Sequence, residues 1–319
     1  MKPAAPVRMR DAFLDGVIAR MEADPRVFFL TADFGSPRLD VLAARFPDRW
    51  MNVGIAEQNL INVAAGMALE GFAVVAYAIA PFLSMRCYEQ TRVNLCMLSQ
   101  VRPLDVTLAG VGAGYSYDVS GPSHQALEDL SIMRTLPNLE FYSPADALTA
   151  CSIATQRIGQ RGVRYVRMDG KALPNIYSAE SMPNLSRGFQ LVRPGTDALL
   201  VGTGYMTHRA LEAAECLRVQ GKTVGVLDVF TLQPCDRAAL GLMLAQYPLI
   251  LSLEEGFVGK GGLDALLRDI LAPLGIAARH HGLGLPAEYC FEVGERDFRL
   301  DKAGLAAKTI AQRACELGA

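Results

Sequence analysis

Glu57 is the residue whose surroundings point most sharply to chemistry. It lies in Asn52-Val53-Gly54-Ile55-Ala56-Glu57-Gln58-Asn59, where a loop passes into an apolar helix. A carboxylate at such a point ordinarily caps the first turn or complements the helix dipole. The helix that follows is apolar nearly all round, so the side chain is carried toward an interior that disfavours an ionised group. A carboxyl held there is suited to exchanging a proton with a heterocycle. His124, one of four histidines, follows the Gly121-Pro122 turn near a helix start. Standing alone it suits a cap or the surface as well as it suits catalysis. Gly202-Thr203-Gly204 falls between a strand and a helix, where backbone N–H groups can hold a phosphate. No third glycine follows, and Met206-Thr207-His208 does not complete a dinucleotide fingerprint. Asp228, near the end of the next strand, reads as a loop cap rather than a ribose ligand.

These groups need elements to position them. A chain of 319 residues, 51% hydrophobic and 20% charged, has apolar surface enough for two ordinary α/β domains and rules out global disorder. Thirty-one basic against 33 acidic residues leave a net charge of −2, which excludes nucleic acid as the main partner. Cys87, Cys96, Cys151, Cys216, Cys235, Cys290 and Cys315 form no C-x-x-C pair and read as reduced thiols of a cytoplasmic protein. The start MKPAAPVRMRDAF lacks the apolar region of a secretion signal. Residues 60–83 are apolar enough to mimic a membrane span, but Glu70-Gly71 splits them into a helix and a strand, so no membrane is expected.

Apolar runs at 27–34, 73–79, 103–110, 139–144 and 163–168 alternate with helical patterns at 41–45, 57–69, 84–98, 124–134 and 145–159. That alternation predicts parallel strands joined by crossover helices. A Pro-, Ser- and Asn-rich stretch between 170 and 194 reads as a surface linker. A second α/β unit follows, with strands at 197–204, 223–232 and 248–256 and helices at 208–220 and 262–271. The fold class is therefore α/β, with two parallel or mixed-sheet domains over 1–172 and 193–319 and a linker over 173–192. The second unit carries fewer convergent polar groups and reads as structural or docking.

The runs GIAEQN, APFLSMRCYEQ and GPSHQALEDLSIMRTLPNLEFYSPAD, in this order, resemble the pyrimidine-binding domain of the transketolase family of thiamine-diphosphate enzymes. The resemblance covers roughly residues 10–170, and the module from about 193 onward is similar to the family's C-terminal domain. It implies that Glu57 bonds N1′ of the cofactor's aminopyrimidine. A neutral carboxyl there favours the 4′-imino tautomer, which removes the thiazolium C2 proton to make the nucleophilic ylide. It further implies that Phe82 stacks on the pyrimidine while Met85, Tyr88 and Ile55 complete the pocket, and that Asp33 and Phe34 approach the cofactor across a subunit boundary. Transketolases often carry a second aromatic where this chain has Met85, whose polarizable side chain can fill the same volume. For Tyr88, packing in the core is an equal alternative on spacing alone. The matching histidine lines the substrate channel, which gives His124 the role of donor to a sugar hydroxyl or a carbonyl oxygen. Arg167 resembles the arginine that holds the substrate's terminal anion, against the alternative of an ion pair with Asp169 or Glu140. Ser36 falls near another phosphate-contacting position. Ordinary transketolases place a histidine near Gly112 and an aspartate near Ser120, and their absence here puts the usual sugar phosphates in doubt.

The family holds the diphosphate through Mg²⁺ bound by a G-D-G segment and a later Asn, ligands that suit a hard cation. This chain has no G-D-G; Met168-Asp169-Gly170 lacks the first glycine and sits elsewhere. The resemblance thus implies an N-terminal, α-type partner subunit that supplies the diphosphate and Mg²⁺ half of the site, in an α2β2 complex acting on sugars or sugar phosphates. The expected activity is transfer of a two-carbon ketol unit. A 2-oxo acid or acetoin dehydrogenase β subunit, a deoxyxylulose-phosphate-synthase-like enzyme and a non-catalytic scaffold are the alternatives.

Overall fold

The computed structural model describes residues 6–275 and 279–319. The chain builds two α/β domains on two main sheets. A short antiparallel pair, β1 (Val7–Arg8) with β8 (Ala172–Leu173), ties the two ends of the first domain together. The first domain's strands are β2 (Val27–Thr31), β3 (Trp50–Asn52), β4 (Ala73–Ile79), β5 (Asp105–Val111), β6 (Leu139–Tyr142) and β7 (Gly162–Met168), in the spatial order 6-7-5-4-2-3 and all parallel. The central strands β4 and β5 are buried along nearly their whole length, which is why they read as continuous apolar runs instead of alternating ones.

Helices cover both faces. The helix Glu57–Leu69 turns Leu60, Ile61, Ala64, Ala65 and Ala68 onto one face of the sheet, and Gly71 in a left-handed turn (φ +89°) lets the chain reverse directly into β4. The span-like stretch is thus a helix and a strand, and no helix among the described residues is long and apolar enough to cross a membrane. On the other face, Met9–Ala23 lies against Ala147–Arg157 so closely that a Cβ on Gly16 would sit 2.7 Å from the Ala154 methyl. The apolar runs of the sequence do not single out that N-terminal helix, although Phe13, Leu14, Val17, Ile18 and Met21 form a buried stripe along it.

The second sheet runs 14-13-10-11-9, with β10 (Ala198–Gly202), β11 (Val224–Val229), β13 (Leu249–Phe257) and β14 (Arg279–Leu285) parallel and β9 (Phe189–Arg193) antiparallel at its edge. β9 begins inside the stretch read as linker. The domains share more than a hinge. β12 (Thr231–Gln233) leaves the second unit to pair antiparallel with β6, and one continuous apolar core contains Leu60 and Val74 from the first domain with Leu199, Val201 and Leu240 from the second.

Two expected helices take another form. Residues 84–98 are not one α-helix: π-helical turns at Phe82–Arg86 and Thr91–Met97 flank a single α-turn at Tyr88–Gln90. Ser84 donates its hydroxyl to the Ala80 carbonyl at 2.8 Å, competing with the backbone ladder at the first wide turn. Residues 124–134 divide into a 3₁₀ turn at Pro122–His124, an α-turn at Asp129–Ile132 and a 3₁₀ turn at Met133–Thr135. Gly121 at φ +79° and Pro122 set the first turn apart from the rest.

Candidate functional site

Parallel strands bring their following loops to one edge of a sheet, where open α/β sheets bind ligands. The loops after β2, β3, β4 and β5 carry Asp33, Glu57, Phe82 and His124 respectively, so the crossover order itself assembles most of the expected site. Asn52, the last residue of β3, laces two of these loops together. Its Oδ1 accepts from the amides of Asp33 (3.0 Å) and Gly54 (2.9 Å), and its Nδ2 donates to Asp33 Oδ1 at 2.9 Å. Asp33 is held in the left-handed region (φ 51°), rare for a residue with a side chain. Phe34 stacks on Tyr77 with centroids 5.4 Å apart.

Glu57 is the first residue of its helix and only 3% exposed. It does not cap the turn: Ala56 occupies the cap position with no side-chain bond, and Glu57 Oε2 instead accepts from Arg86 Nη1 at 2.7 Å. The expectation of a carboxyl among apolar groups alone is corrected by that cation. Phe82 lies beside the pair, with the Arg86 guanidinium carbon 4.3 Å from its ring centre and His124 edge-on at 5.1 Å. Glu57, Phe82, Arg86 and His124 therefore form one cluster. Ile55 (77% exposed) and Met85 (38%) are among the exposed apolar side chains, Ile55 two residues from Glu57 and Met85 next to Arg86 in the chain.

Three expected site residues make contacts within the chain. Tyr88 donates its hydroxyl to the Ile132 carbonyl (3.1 Å), lies 2.6 Å from Thr135 Oγ1 and packs against the core, which favours the packing alternative. Ser36 caps the helix Pro37–Arg45 by accepting from the Leu39 amide. Arg167 spends Nε and Nη2 within the chain and leaves Nη1 without a hydrogen-bond partner among the described residues. It is 2% exposed, donates through Nε to both oxygens of Asp129 (3.0 and 2.9 Å) and through Nη2 to the carbonyls of Ala126 and Glu255. Its carboxylate partner is Asp129, not Asp169 or Glu140. Asp228 is likewise no loop cap: it is buried in β11, accepts from Thr207 Oγ1 (2.7 Å) and the Tyr177 hydroxyl (2.8 Å), and burial pushes its carboxyl up to about 7.

A buried ionic network at the domain boundary has no signature in the spacing of the sequence. Arg296 Nη1 donates to Asp169 Oδ2 at 2.6 Å and its Nε to Glu255 Oε1 at 2.9 Å, while Glu255 Oε1 also accepts the Tyr115 amide. The loop that carries His124 is thereby fastened to the second domain. At Gly112, φ is +104° and an added Cβ would lie 2.3 Å from the Tyr117 ring. Tyr117 fills the space, and burial raises its phenol to about 12.

Against this geometry, the chain matches the transketolase pyrimidine-binding domain over residues 5–175 and the transketolase C-terminal domain over residues 188–310. It is 31% identical to one of the subunits of the apulose-4-phosphate transketolase of Actinobacillus succinogenes, covering 85% of this chain and 86% of the relative. It is 30% identical to the 6-deoxy-6-sulfo-D-fructose transketolase subunit SqwH of a Clostridium species, covering 97% and 94%. Its fold superposes with a TM-score of 0.84 on a solved split-gene transketolase described as an inactive β4 tetramer, at 31% identity and covering 97% of this chain and 98% of that one.

Proposed function

The chain belongs to the transketolase family, and from that premise we propose that it is the C-terminal, β-type subunit of a two-component, thiamine-diphosphate-dependent transketolase. In this reading two such chains join two α-type chains, and the complex moves a two-carbon ketol unit from a ketose donor to an aldose acceptor. Residues 1–172 carry the pyrimidine half of the site and residues 193–319 brace it. The observation that carries the reading is the buried Glu57 carboxylate beside Phe82 and His124 at the strand ends, in a chain without G-D-G. Two similar proteins named as transketolase subunits, each matched along most of its length, support the division of labour.

The residues present fit an aminopyrimidine. A flat group, the Arg86 guanidinium, already lies over Phe82 and bonds Glu57, which marks room for a stacked heterocycle whose N1′ would accept from the Glu57 carboxyl instead. Thiamine diphosphate, when bound, supplies a nucleophilic carbon that takes up and releases the two-carbon fragment. Glu57 holds a proton at N1′, and its burial keeps water from competing for it. Phe82 fixes the plane of the ring. His124, on a loop bonded to the second domain, donates to the substrate's carbonyl oxygen or a hydroxyl. Asp33 and Phe34 approach the cofactor across the subunit boundary, Ile55 and Met85 complete the pocket on its exposed side toward the partner, and the partner holds Mg²⁺ and the diphosphate. Tyr117 over Gly112 supports a specialised sugar or sugar phosphate, and Arg167, tied to Asp129 through Nε, keeps Nη1 for the substrate's anion.

Mixing the purified chain with thiamine diphosphate, Mg²⁺ and a ketose donor, with and without its α-type partner, tests the reading. Turnover is expected only in the mixture. Robust turnover by this chain alone overturns the split site, and reductive acylation of a lipoyl domain by the mixture assigns a dehydrogenase instead.

A further inference from the structure

Arg86 sits where a ligand of this site would sit. Its guanidinium is planar, lies 4.3 Å from the centre of the Phe82 ring and gives Nη1–H to Glu57 Oε2 at 2.7 Å. The Phe82 face and Glu57 are the two groups assigned above to the aminopyrimidine, to which Glu57 would give a proton where it now accepts from Arg86, so ring and side chain compete for the same place. The side chain is also free to leave: it is 43% exposed, it projects from a wide π-helical turn, and its polar contact among the described residues is Glu57 itself. A half-exposed ion pair with one cation–π contact is weak enough to exchange for a better-fitting group. We propose that Arg86 is a resident stand-in for the pyrimidine, keeping the Glu57 carboxylate paired in the isolated chain and swinging out when cofactor and partner arrive. This inference rests on the assignment of Glu57 to the pyrimidine.

The stand-in lowers the apparent affinity of the free chain for pyrimidines by the fraction of molecules in which it is closed. Isothermal titration calorimetry of the full chain with a neutral 4-aminopyrimidine as probe reads this directly. Arg86→Ala, and Arg86→Met as a second variant that keeps the aliphatic stem, are expected to bind the probe about tenfold more tightly than wild type. Because salt screens the ion pair but not the neutral probe, wild-type affinity should rise between about 0.05 and 0.5 M NaCl while both variants stay flat. Unchanged or weaker binding by both variants, with no salt response in wild type, overturns the proposal. Adding Glu57→Leu, which leaves no group to bond a ring nitrogen, to Arg86→Ala separates the two assignments. Loss of probe binding upholds the pyrimidine role of Glu57 whatever Arg86 does, and unaltered binding removes that role and the stand-in with it.

Discussion

Neutralising Asp129 should cost the chain much of its stability, because Arg167 would be left as a buried charge without a counter-ion. Asp129 is fully buried and Arg167 nearly so. The aspartate also accepts the Tyr165 hydroxyl at 2.9 Å, and Arg167 joins β7 to the backbone of Ala126 and of Glu255 in the second domain. Removing one partner of such a pair typically costs about 3–5 kcal/mol. With a urea dependence of about 2–3 kcal/mol per molar, Asp129→Asn should lower the unfolding midpoint by roughly 1–2.5 M. Replacing both partners by apolar groups, Asp129→Leu with Arg167→Met, should recover much of the loss, since the desolvation of both charges disappears with them. Urea unfolding at neutral pH, followed by circular dichroism, measures all three proteins. A loss below about 1 kcal/mol for Asp129→Asn would refute the reasoning. So would an Arg167→Met variant of unchanged stability whose only defect in the reconstituted enzyme is a raised KM, which would leave Arg167 to the substrate's anion alone.

Three further outcomes follow from particular side chains. Burial raises the Asp228 carboxyl from 3.8 to about 7, so the folded chain binds a proton that the unfolded chain has released, and this contribution to stability is lost as pH climbs from about 4 through 7. The stability of wild type relative to Asp228→Asn should therefore fall over that range in urea titrations; a rise would contradict the assignment. Ile55→Asp, at a position 77% exposed, should leave the isolated chain's stability within about 0.5 kcal/mol of wild type yet prevent assembly with the α-type chain on gel filtration. Gly112→His should destabilise the chain by more than about 1 kcal/mol, because the new Cβ meets the Tyr117 ring and the backbone stays at positive φ; Tyr117→Ala should relieve only the first of these, and a stable single variant would show that the loop yields.

The α/β class and its crossovers are legible in the sequence because buried parallel strands such as Ala73–Ile79 are unbroken apolar runs bounded by Gly and Pro. β14 escapes for the opposite reason. His280, His281, Gly282 and Gly284 give Arg279–Leu285 neither strand propensity nor alternation, and its place comes from pairing with β13. The helix Met9–Ala23 had a readable stripe, diluted by Arg, Asp and Gly between its apolar positions. At the site, Glu57, Phe82 and His124 come together as expected because each follows a strand of the same sheet. Arg167 sits at the end of such a strand too, but contacts across 38 residues to Asp129 and 88 to Glu255 decide its surroundings, and no local pattern encodes those. The spacing of four residues puts Arg86 beside Phe82, but its bond to Glu57 spans 29 residues, and no local pattern encodes that contact.

Glu57→Gln in the reconstituted two-chain complex, assayed with saturating thiamine diphosphate and Mg²⁺, bears most directly on the account. The substitution keeps the shape of the side chain and removes the proton it exchanges. The complex should assemble and bind cofactor while ketol transfer falls by about 10²–10⁴-fold. Turnover close to that of the wild-type complex would mean that this carboxyl does not activate the cofactor.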